Sequence, residues 1–365
     1  MIRSMLRATL ALAAFWCGCA VALDCGTNND FMCTGPANQY AGGFNPGVGY
    51  GGFGGGSCTA TRTPVVFIHG NGDSAISFDM PPGNVSGYTK PLRSPYDELK
   101  AAGYNDCELF GITYLSATER SFPQINYHEP YTYDMLKTFI DKVKAYTGKS
   151  QVDIVGHSLG SSMALAMIKY KGYQGSVRRF VNIAGGIRGL QTCLYSGYAN
   201  AAAPTCNAEA WVYPYNHYTF GLYPSSGLPY YGYNRWTGSG SDSMRNLPAS
   251  WTGIRFYTIT AAKYDQVHCF TTTNAATCQN GALFNSRSNV IAQVNVGFGS
   301  SAYSYDWNWS DGMPVNAGGG DTSNGVGHFR SLANTGVILK NMLTTTCTTA
   351  CSSGYAGIHG PASNL

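Results

Sequence analysis

Charged side chains are scarce in this sequence of 365 residues. Asp, Glu, Lys and Arg make up 12% of the chain, about half of the share that is usual in soluble proteins. The formal net charge is only +4, which gives no reason to expect nucleic acid or a strongly charged partner. The surface must therefore be built largely from Ser, Thr, Asn, Gly and Tyr, which suits a protein that acts on an uncharged, partly apolar material.

Residues 1–22 have the pattern of a secretory signal peptide. Arg3 and Arg7 form a basic start, an apolar run follows, and Ala20-Val21-Ala22 fits the small-x-small rule of signal peptidase. We therefore expect cleavage after Ala22 and a secreted, extracellular protein of residues 23–365. Removing the two arginines changes the formal charge from +4 to +2, so nucleic acid remains unexpected.

Apolar stretches long enough to cross a bilayer are missing, and the run inside the signal peptide is itself too short. A lipid anchor at Cys17 or Cys19 would need preceding lipobox residues, which the sequence lacks. We therefore expect no membrane anchor. The sequence also has no repeats, charge runs or interdomain linkers.

Cysteine, in contrast, is abundant: the sequence has 12, of which Cys17 and Cys19 would leave with the signal peptide. The even number that remains indicates disulfide bonds in an exported protein. No paired Cys-x-x-Cys spacing occurs, so a zinc site is not favoured and we expect no metal. The pairing stays open from sequence alone, and our hypothesis joins neighbours in the chain: Cys25 with Cys33, Cys58 with Cys107, Cys193 with Cys206, Cys269 with Cys278, and Cys347 with Cys351. Three of these cysteines should tie the Gly-rich segment 24–60 to the domain.

A tight turn between a strand and a helix is predicted around Ser158. Gly156, Ser158 and Gly160 form Gly-x-Ser-x-Gly, the sequence form of a nucleophile elbow. Val152, Ile154 and Val155 predict a short buried strand before it, and the mostly small and apolar residues at 161–170 predict a helix after it. The Ser158 hydroxyl would lie at the helix N-terminus, where developing negative charge is favoured, so we interpret Ser158 as the nucleophile.

A second glycine-rich turn follows the continuous apolar strand predicted at 64–68. In α/β-hydrolases, a His-Gly pair at this position opens the loop that supplies one of two backbone donors to an oxyanion. Here the pair is His69-Gly70, so the donors would be the amides of Asn71 and of Leu159, which follows the nucleophile. Each such donor is typically worth about 10²–10³ in rate.

Strand and helix patterns alternate along the chain, which predicts an α/β fold with a mostly parallel sheet covered by helices on both faces. The predicted strands are 64–68, 107–114, 152–155, 179–184, 255–260 and 288–296, and the predicted helices are 94–102, 131–147, 161–170 and 331–342. Residues 190–250 interrupt this alternation with twelve Tyr, Trp and Phe residues and many Gly, Pro and Ser. We interpret 190–250 as an insertion over the active-site edge, serving as a lid or docking surface.

A catalytic serine needs an imidazole base and a carboxylate that orients it. Asp265 is the favoured acid because it follows the carboxyl end of the strand predicted at 255–260. The competitors are less well placed, in loops without a preceding strand or in an aromatic segment: Asp242, Asp306, Asp311 and Asp321.

His328 is the favoured base because it lies in a polar loop before the last helix, which gives the chain order Ser158, Asp265, His328 of α/β-hydrolases. His157 is adjacent to Ser158 and would point the wrong way for a base. The remaining competitors precede or crowd the acid, or lie in the tail: His217, His268 and His359.

Four motifs together resemble extracellular depolymerases that attack native, amorphous poly(3-hydroxybutyrate) granules. They are Phe-Ile-His-Gly-Asn-Gly-Asp at 67–73, Gly-His-Ser-Leu-Gly at 156–160, Tyr-Asp-Gln-Val at 264–267 and Gly-Val-Gly-His-Phe at 325–329. The likeness covers nearly all of residues 23–365. It implies a single α/β-hydrolase domain, a triad of Ser158, Asp265 and His328, no cofactor and a polyester granule surface as partner. We expect a monomer.

Two other functions are weighed against this one. Gly156 and Leu159 are the residues common in lipases, whereas the depolymerase motif has Ala and Met at these positions, so a triacylglycerol lipase or carboxylesterase is the first alternative. The second is a non-catalytic, disulfide-linked surface protein, which would require Ser158, Asp265 and His328 to lie apart in the fold.

Overall fold

The computed structural model describes residues 23–28, 32–82, 93–190, 240–269, 278–299, 319–322, 325–355 and 362–365. The expected signal peptide and residues 191–239 of the expected insertion lie outside the described residues. Cys193 and Cys206 lie there too, so their pairing stays a prediction. The other four disulfide bonds are present as predicted: Cys25–Cys33, Cys58–Cys107, Cys269–Cys278 and Cys347–Cys351.

A single sheet of nine strands runs through the described part of the chain, in the order β1-β2-β4-β3-β5-β6-β7-β8-β9. The strands are β1 Asn38–Tyr40, β2 Gly52–Gly54, β3 Val65–Ile68, β4 Leu109–Ile112, β5 Val152–His157, β6 Val177–Ile183, β7 Arg255–Thr260, β8 Val290–Asn295 and β9 Ser363–Asn364. Strands β4, β3, β5, β6, β7 and β8 are parallel, while β2 and β9 pair antiparallel to their neighbours β4 and β8. The predicted mostly parallel sheet is confirmed.

Seven α-helices accompany the sheet in the described residues. They are α1 Pro95–Ala101, α2 Ala117–Ser121, α3 Pro130–Thr147, α4 Leu159–Tyr170, α5 Leu247–Ser250, α6 Arg330–Ala333 and α7 Gly336–Thr344. The Ser94 side chain caps α1 by accepting a hydrogen bond from the Asp97 amide, and Pro95 occupies the first helical position.

The single helix predicted at 331–342 is wrong, because two short helices, α6 and α7, take its place. Asn334, Thr335 and Gly336 are consecutive weak helix formers at the break. Gly336 also lies close to α1: a Cβ there would be 3.1 Å from the carbonyl oxygen of Ser94. Tertiary packing against α1 therefore favours a break where the apolar pattern suggested continuity.

Both faces of the sheet are buried, as the continuous apolar strand β3 predicted. Because side chains alternate along a strand, Val66 and Ile68 pack in one apolar cluster with residues of α3 and α4. Val65 and Phe67 point the other way and pack in a second cluster with residues of α1 and α7. The sheet therefore lies between two helical layers.

The segment 24–60 joins the sheet itself, which the sequence did not predict. Strands β1 and β2 lie beyond β4, and Gly52 in β2 has a φ of 139°, a conformation that favours glycine. Glycine-rich strands lack the β-branched pattern by which strands are recognised. No helix among the described residues has both the length and the apolar character needed to span a membrane.

Candidate active site

Ser158 occupies a strained turn between β5 and α4. Its φ of 51° and ψ of −123° lie in a region that non-glycine residues rarely adopt. The backbone N–H of Ser158 donates to the carbonyl oxygen of Ile183 at 2.9 Å, which helps to hold the turn against the next strand. The conformation is that of a nucleophile elbow at the carboxyl end of a central strand.

Glycine is required on both sides of Ser158. A Cβ at Gly156 would be 2.7 Å from the Cα of Ser161 in α4. A Cβ at Gly160 would overlap the carbonyl oxygen of His69, which follows β3. The small residues therefore let the elbow pack directly against the loop that the sequence assigned to the oxyanion.

Asp265 and His328 meet although they lie 63 residues apart in the chain. The Nδ1 atom of His328 is 2.9 Å from Oδ2 and 3.0 Å from Oδ1 of Asp265, and both side chains are buried. Asp265 reaches this position through a short 3-10 turn, Ala262–Tyr264, at the end of β7. A carboxylate on Nδ1 leaves Nε2 as the ring nitrogen that can accept a proton.

The Asp265 carboxyl is held as a carboxylate. Burial by itself would raise its pKa, but His268 and His328, with their hydrogen bonds, outweigh burial and lower the pKa to about 2. Its Oδ1 atom also accepts the backbone N–H groups of Val267 at 3.0 Å and His268 at 2.9 Å. The Asp265 carboxyl therefore stays negatively charged beside the His328 ring at neutral pH.

Asp321, a competitor for the acid, instead organises the loop of the base. Its two oxygens accept the backbone N–H groups of Gly327, Phe329 and Arg330 at 2.8–3.1 Å. The Gln266 side chain donates to Asp321 at 2.6 Å and accepts the His328 N–H at 3.1 Å. Gln266 thus joins the acid loop to the base loop, a role that single-sequence reasoning missed.

The other competing acids are exposed or not described. The Asp242 side chain is 53% exposed and lies 3.7 Å from the ammonium nitrogen of Lys169. Asp306 and Asp311 lie outside the described residues. Among the competing acids that the structure describes, Asp265 is therefore the one whose carboxylate contacts the His328 ring.

Two competing bases lie beside the pair without replacing His328. The His268 Nδ1 atom is 3.5 Å from Oδ2 of Asp265, and burial lowers the pKa of His268 to about 4. The His157 Nε2 atom lies 3.1 Å from the carbonyl oxygen of His328. His268 therefore supports the Asp265 carboxylate, and His157 supports the backbone of His328. His217 and His359 lie outside the described residues.

Asp265, His268 and His328 also form the one group among the described residues whose donor atoms are close enough to bind a metal ion, within 4.8 Å of one another. The carboxylate is already supplied with two backbone N–H donors and the imidazole of His328. That arrangement is typical of a carboxylate that orients an imidazole.

The predicted oxyanion loop lies against the elbow. A Cβ at Gly70 would be 3.1 Å from the Cβ of Ser158. The Asn71 side chain donates to the carbonyl oxygen of Pro123 at 2.9 Å and accepts from Asn126 at 2.5 Å. Leu159 is the first residue of α4, where backbone N–H groups have no partner within the helix. The assignment of Asn71 and Leu159 as donors remains a prediction.

Comparison with protein families gives one match that covers most of the chain: the model of lipase (class 2) matches residues 62–305. The chain belongs to the class 2 lipase family. Together with the sheet and its helices, this membership shows the α/β-hydrolase fold, as the sequence predicted. A class 2 lipase is a carboxylic-ester hydrolase, so the coarse part of the functional prediction is also confirmed.

Solved structures resemble this chain only distantly. Lipase BlEst2 of Bacillus licheniformis in its propeptide form is 13% identical with a TM-score of 0.33, and the match covers 56% of this chain and 37% of that one. Lipase B of Aspergillus fumigatus is 14% identical with a TM-score of 0.38, covering 76% and 53%. Carboxylesterase CesB of Bacillus subtilis is 13% identical with a TM-score of 0.29, covering 57% and 68%. A comparison with curated proteins gave no match.

Proposed function

We propose that the protein is a secreted serine esterase that cleaves poly(3-hydroxybutyrate) to short oligomers through an acyl-enzyme. The single observation that carries the catalytic part is the contact of Asp265 with Nδ1 of His328 in a chain whose Ser158 lies in a strained elbow. The polyester is proposed from the four sequence motifs. The expected signal peptide and the four disulfide bonds support secretion.

In the proposed mechanism, Nε2 of His328 takes the proton of the Ser158 hydroxyl as its oxygen attacks the ester carbonyl. The amides of Asn71 and Leu159 hold the oxyanion of the tetrahedral intermediate. Collapse breaks the ester bond, and His328 returns the proton to the leaving alcohol. A water molecule then attacks the acyl-serine in the same way, with His328 taking its proton and returning it to Ser158, and the carboxylic acid product is released. Asp265 stabilises the imidazolium of His328 in both half-reactions.

A triacylglycerol lipase is the alternative, favoured by the family match and by Gly156 and Leu159 in the elbow. The two substrates differ in the surface that the enzyme must meet. We propose a hydrophobic polyester granule as that surface and the aromatic residues within 190–250 as the region that contacts it.

The decisive experiment compares the wild type and Ser158→Ala on suspended amorphous granules, on tributyrin and long-chain triglyceride, and on a soluble p-nitrophenyl ester. We expect the wild type to clear granules faster than it hydrolyses triglyceride, and Ser158→Ala to lose all of these activities. Faster turnover of triglyceride would contradict the polyester, and hydrolysis by Ser158→Ala would contradict the mechanism. Wild type treated with a serine-directed phosphonate serves as the matched control for loss of the hydroxyl.

A further inference from the structure

We propose that His69 is a positioning residue, whose ring fixes the direction of the Asn71 N–H donor. This inference rests on the proposed function, because it concerns the oxyanion donor of the same reaction. The sequence pattern identifies the His-Gly pair as the start of the oxyanion loop and gives no role to the imidazole.

The His69 ring is completely buried and is held on three sides. Its Nδ1 atom lies 2.8 Å from the carbonyl oxygen of Gly70. Its Nε2 atom receives the backbone N–H of Tyr114 at 3.2 Å. The ring stacks on that of Tyr114 with centroids 4.4 Å apart and planes inclined by 20°, and the Tyr114 hydroxyl donates to the His69 carbonyl oxygen at 3.1 Å.

These partners determine the tautomer. A backbone N–H can only donate, so Nε2 must present its lone pair to Tyr114 and the hydrogen must be on Nδ1. Nδ1–H then donates to the Gly70 carbonyl oxygen. Burial lowers the pKa of His69 to about 3, so the ring stays neutral and keeps this pattern at every pH at which an esterase of this kind works.

The Gly70 carbonyl belongs to the same planar peptide unit as the Asn71 N–H. That peptide is trans, since the described residues contain no cis bond, so the N–H points opposite to the carbonyl. The carbonyl also accepts the N–H of Asp73 at 3.4 Å. By holding the carbonyl on the side of the buried ring, His69 turns the Asn71 N–H to the opposite side of the peptide.

Preorganisation of that donor is what the ring contributes to the reaction. Without the Nδ1–H bond, only the longer bond from the Asp73 N–H, at 3.4 Å, holds the Gly70 carbonyl. The Gly70–Asn71 peptide is then freer to rotate, because Gly70 has no side chain that limits its dihedral angles. A donor that points at the oxyanion only part of the time loses much of the stabilisation that a fixed one gives. The effect should be confined to steps in which negative charge develops on the carbonyl oxygen.

Two variants separate donation from packing. His69→Phe keeps a ring that can stack on Tyr114 but has no N–H, whereas the amide nitrogen of His69→Asn can take the place of Nδ1–H. We expect His69→Phe to lower kcat on a soluble p-nitrophenyl ester by about 100-fold with KM within about twofold. His69→Asn should recover to within about tenfold of the wild type.

The matched thionoester, in which sulfur replaces the carbonyl oxygen, supplies a readout that a merely structural role would not move. Oxyanion donors stabilise a compact oxygen anion better than a sulfur anion, so His69→Phe should lose much less on the thionoester. Equal losses on both substrates, or a kcat of His69→Phe close to that of the wild type, would overturn the proposal. Should His69→Phe fail to fold, ¹⁵N NMR of the wild type still decides, since a hydrogen on Nε2 of His69 would also overturn it.

Parallel assays of Ser158→Ala distinguish a failure of the His69 assignment from a failure of the proposed function. If Ser158→Ala is inactive and His69→Phe is as active as the wild type, only the assignment of His69 fails. If Ser158→Ala still hydrolyses the ester, the proposed function fails and the role of His69 falls with it.

Discussion

The ring of His157 donates from Nε2 to the backbone carbonyl oxygen of His328 at 3.1 Å. A carbonyl only accepts, so the hydrogen of His157 must be on Nε2. The two rings lie with their centroids 5.0 Å apart. The residue before the nucleophile thus supports the loop of the base, across 171 residues of sequence.

Replacing His157 should therefore slow the reaction without weakening binding of the ester. The His328 carbonyl oxygen also accepts the Ser331 hydroxyl at 2.6 Å. His157→Phe therefore removes one of its two donors, at a cost of about 1 kcal/mol, and we expect kcat to fall about fivefold with KM unchanged. His157→Gln, whose amide can replace Nε2–H, should stay near the wild type. Steady-state kinetics on a soluble ester provide the test, and full activity of His157→Phe would show that the contact does not matter.

The same residue should make the fold sensitive to acid. Burial, followed by the charge of His328, lowers the pKa of His157 from 6.5 to about 3. Between these values the unfolded chain binds a proton at this position and the native protein does not. The contribution is therefore complete above about pH 6.5 and is lost as the pH falls towards 3, by roughly 1 kcal/mol per pH unit.

Urea unfolding of the wild type and of His157→Gln at several pH values between 4.5 and 7 measures this effect. The free energy of unfolding should fall less steeply with acidification in the variant, because the other titrating groups are the same in both proteins. Equal slopes would mean that His157 is not held neutral in the native state.

Asp265→Asn should nearly abolish hydrolysis while leaving the protein folded. The amide keeps the shape of the carboxylate but neither fixes the tautomer of His328 nor stabilises its charged form, so kcat should fall by about 10⁴. Asp242→Asn, at an exposed position, is the matched control and should keep wild-type kcat. A fall in kcat of less than tenfold in Asp265→Asn would mean that another residue is the acid that orients His328.

Removal of two disulfides should have unequal effects on stability. Cys58–Cys107 spans 49 residues and joins the N-terminal segment to the residues before β4, whereas Cys347–Cys351 spans four. Loop-closure entropy gives about 4 kcal/mol for the first and about 2 kcal/mol for the second. Denaturant unfolding of the two double Cys→Ser variants checks the order, and a larger loss for Cys347–Cys351 would contradict it.

The sequence predicted the elements whose cause is local. The buried strand β3 is a continuous apolar run, and α1 begins where Ser94 and Pro95 supply its cap and first turn. The elbow needs glycine on either side of Ser158, and that requirement is legible as Gly-x-Ser-x-Gly. Loop position and chain order together point to Asp265 and His328 as partners, and the two side chains do meet.

Only the tertiary structure decided what surrounds them. By sequence, His157, His268 and Asp321 are rivals for the acid or the base. In the fold, their contacts support Asp265 and His328 instead. No periodicity encodes such contacts, because they join segments that meet only when the sheet has formed. The break before α7 and the added strands β1 and β2 have the same origin: packing against distant residues outweighs local preference.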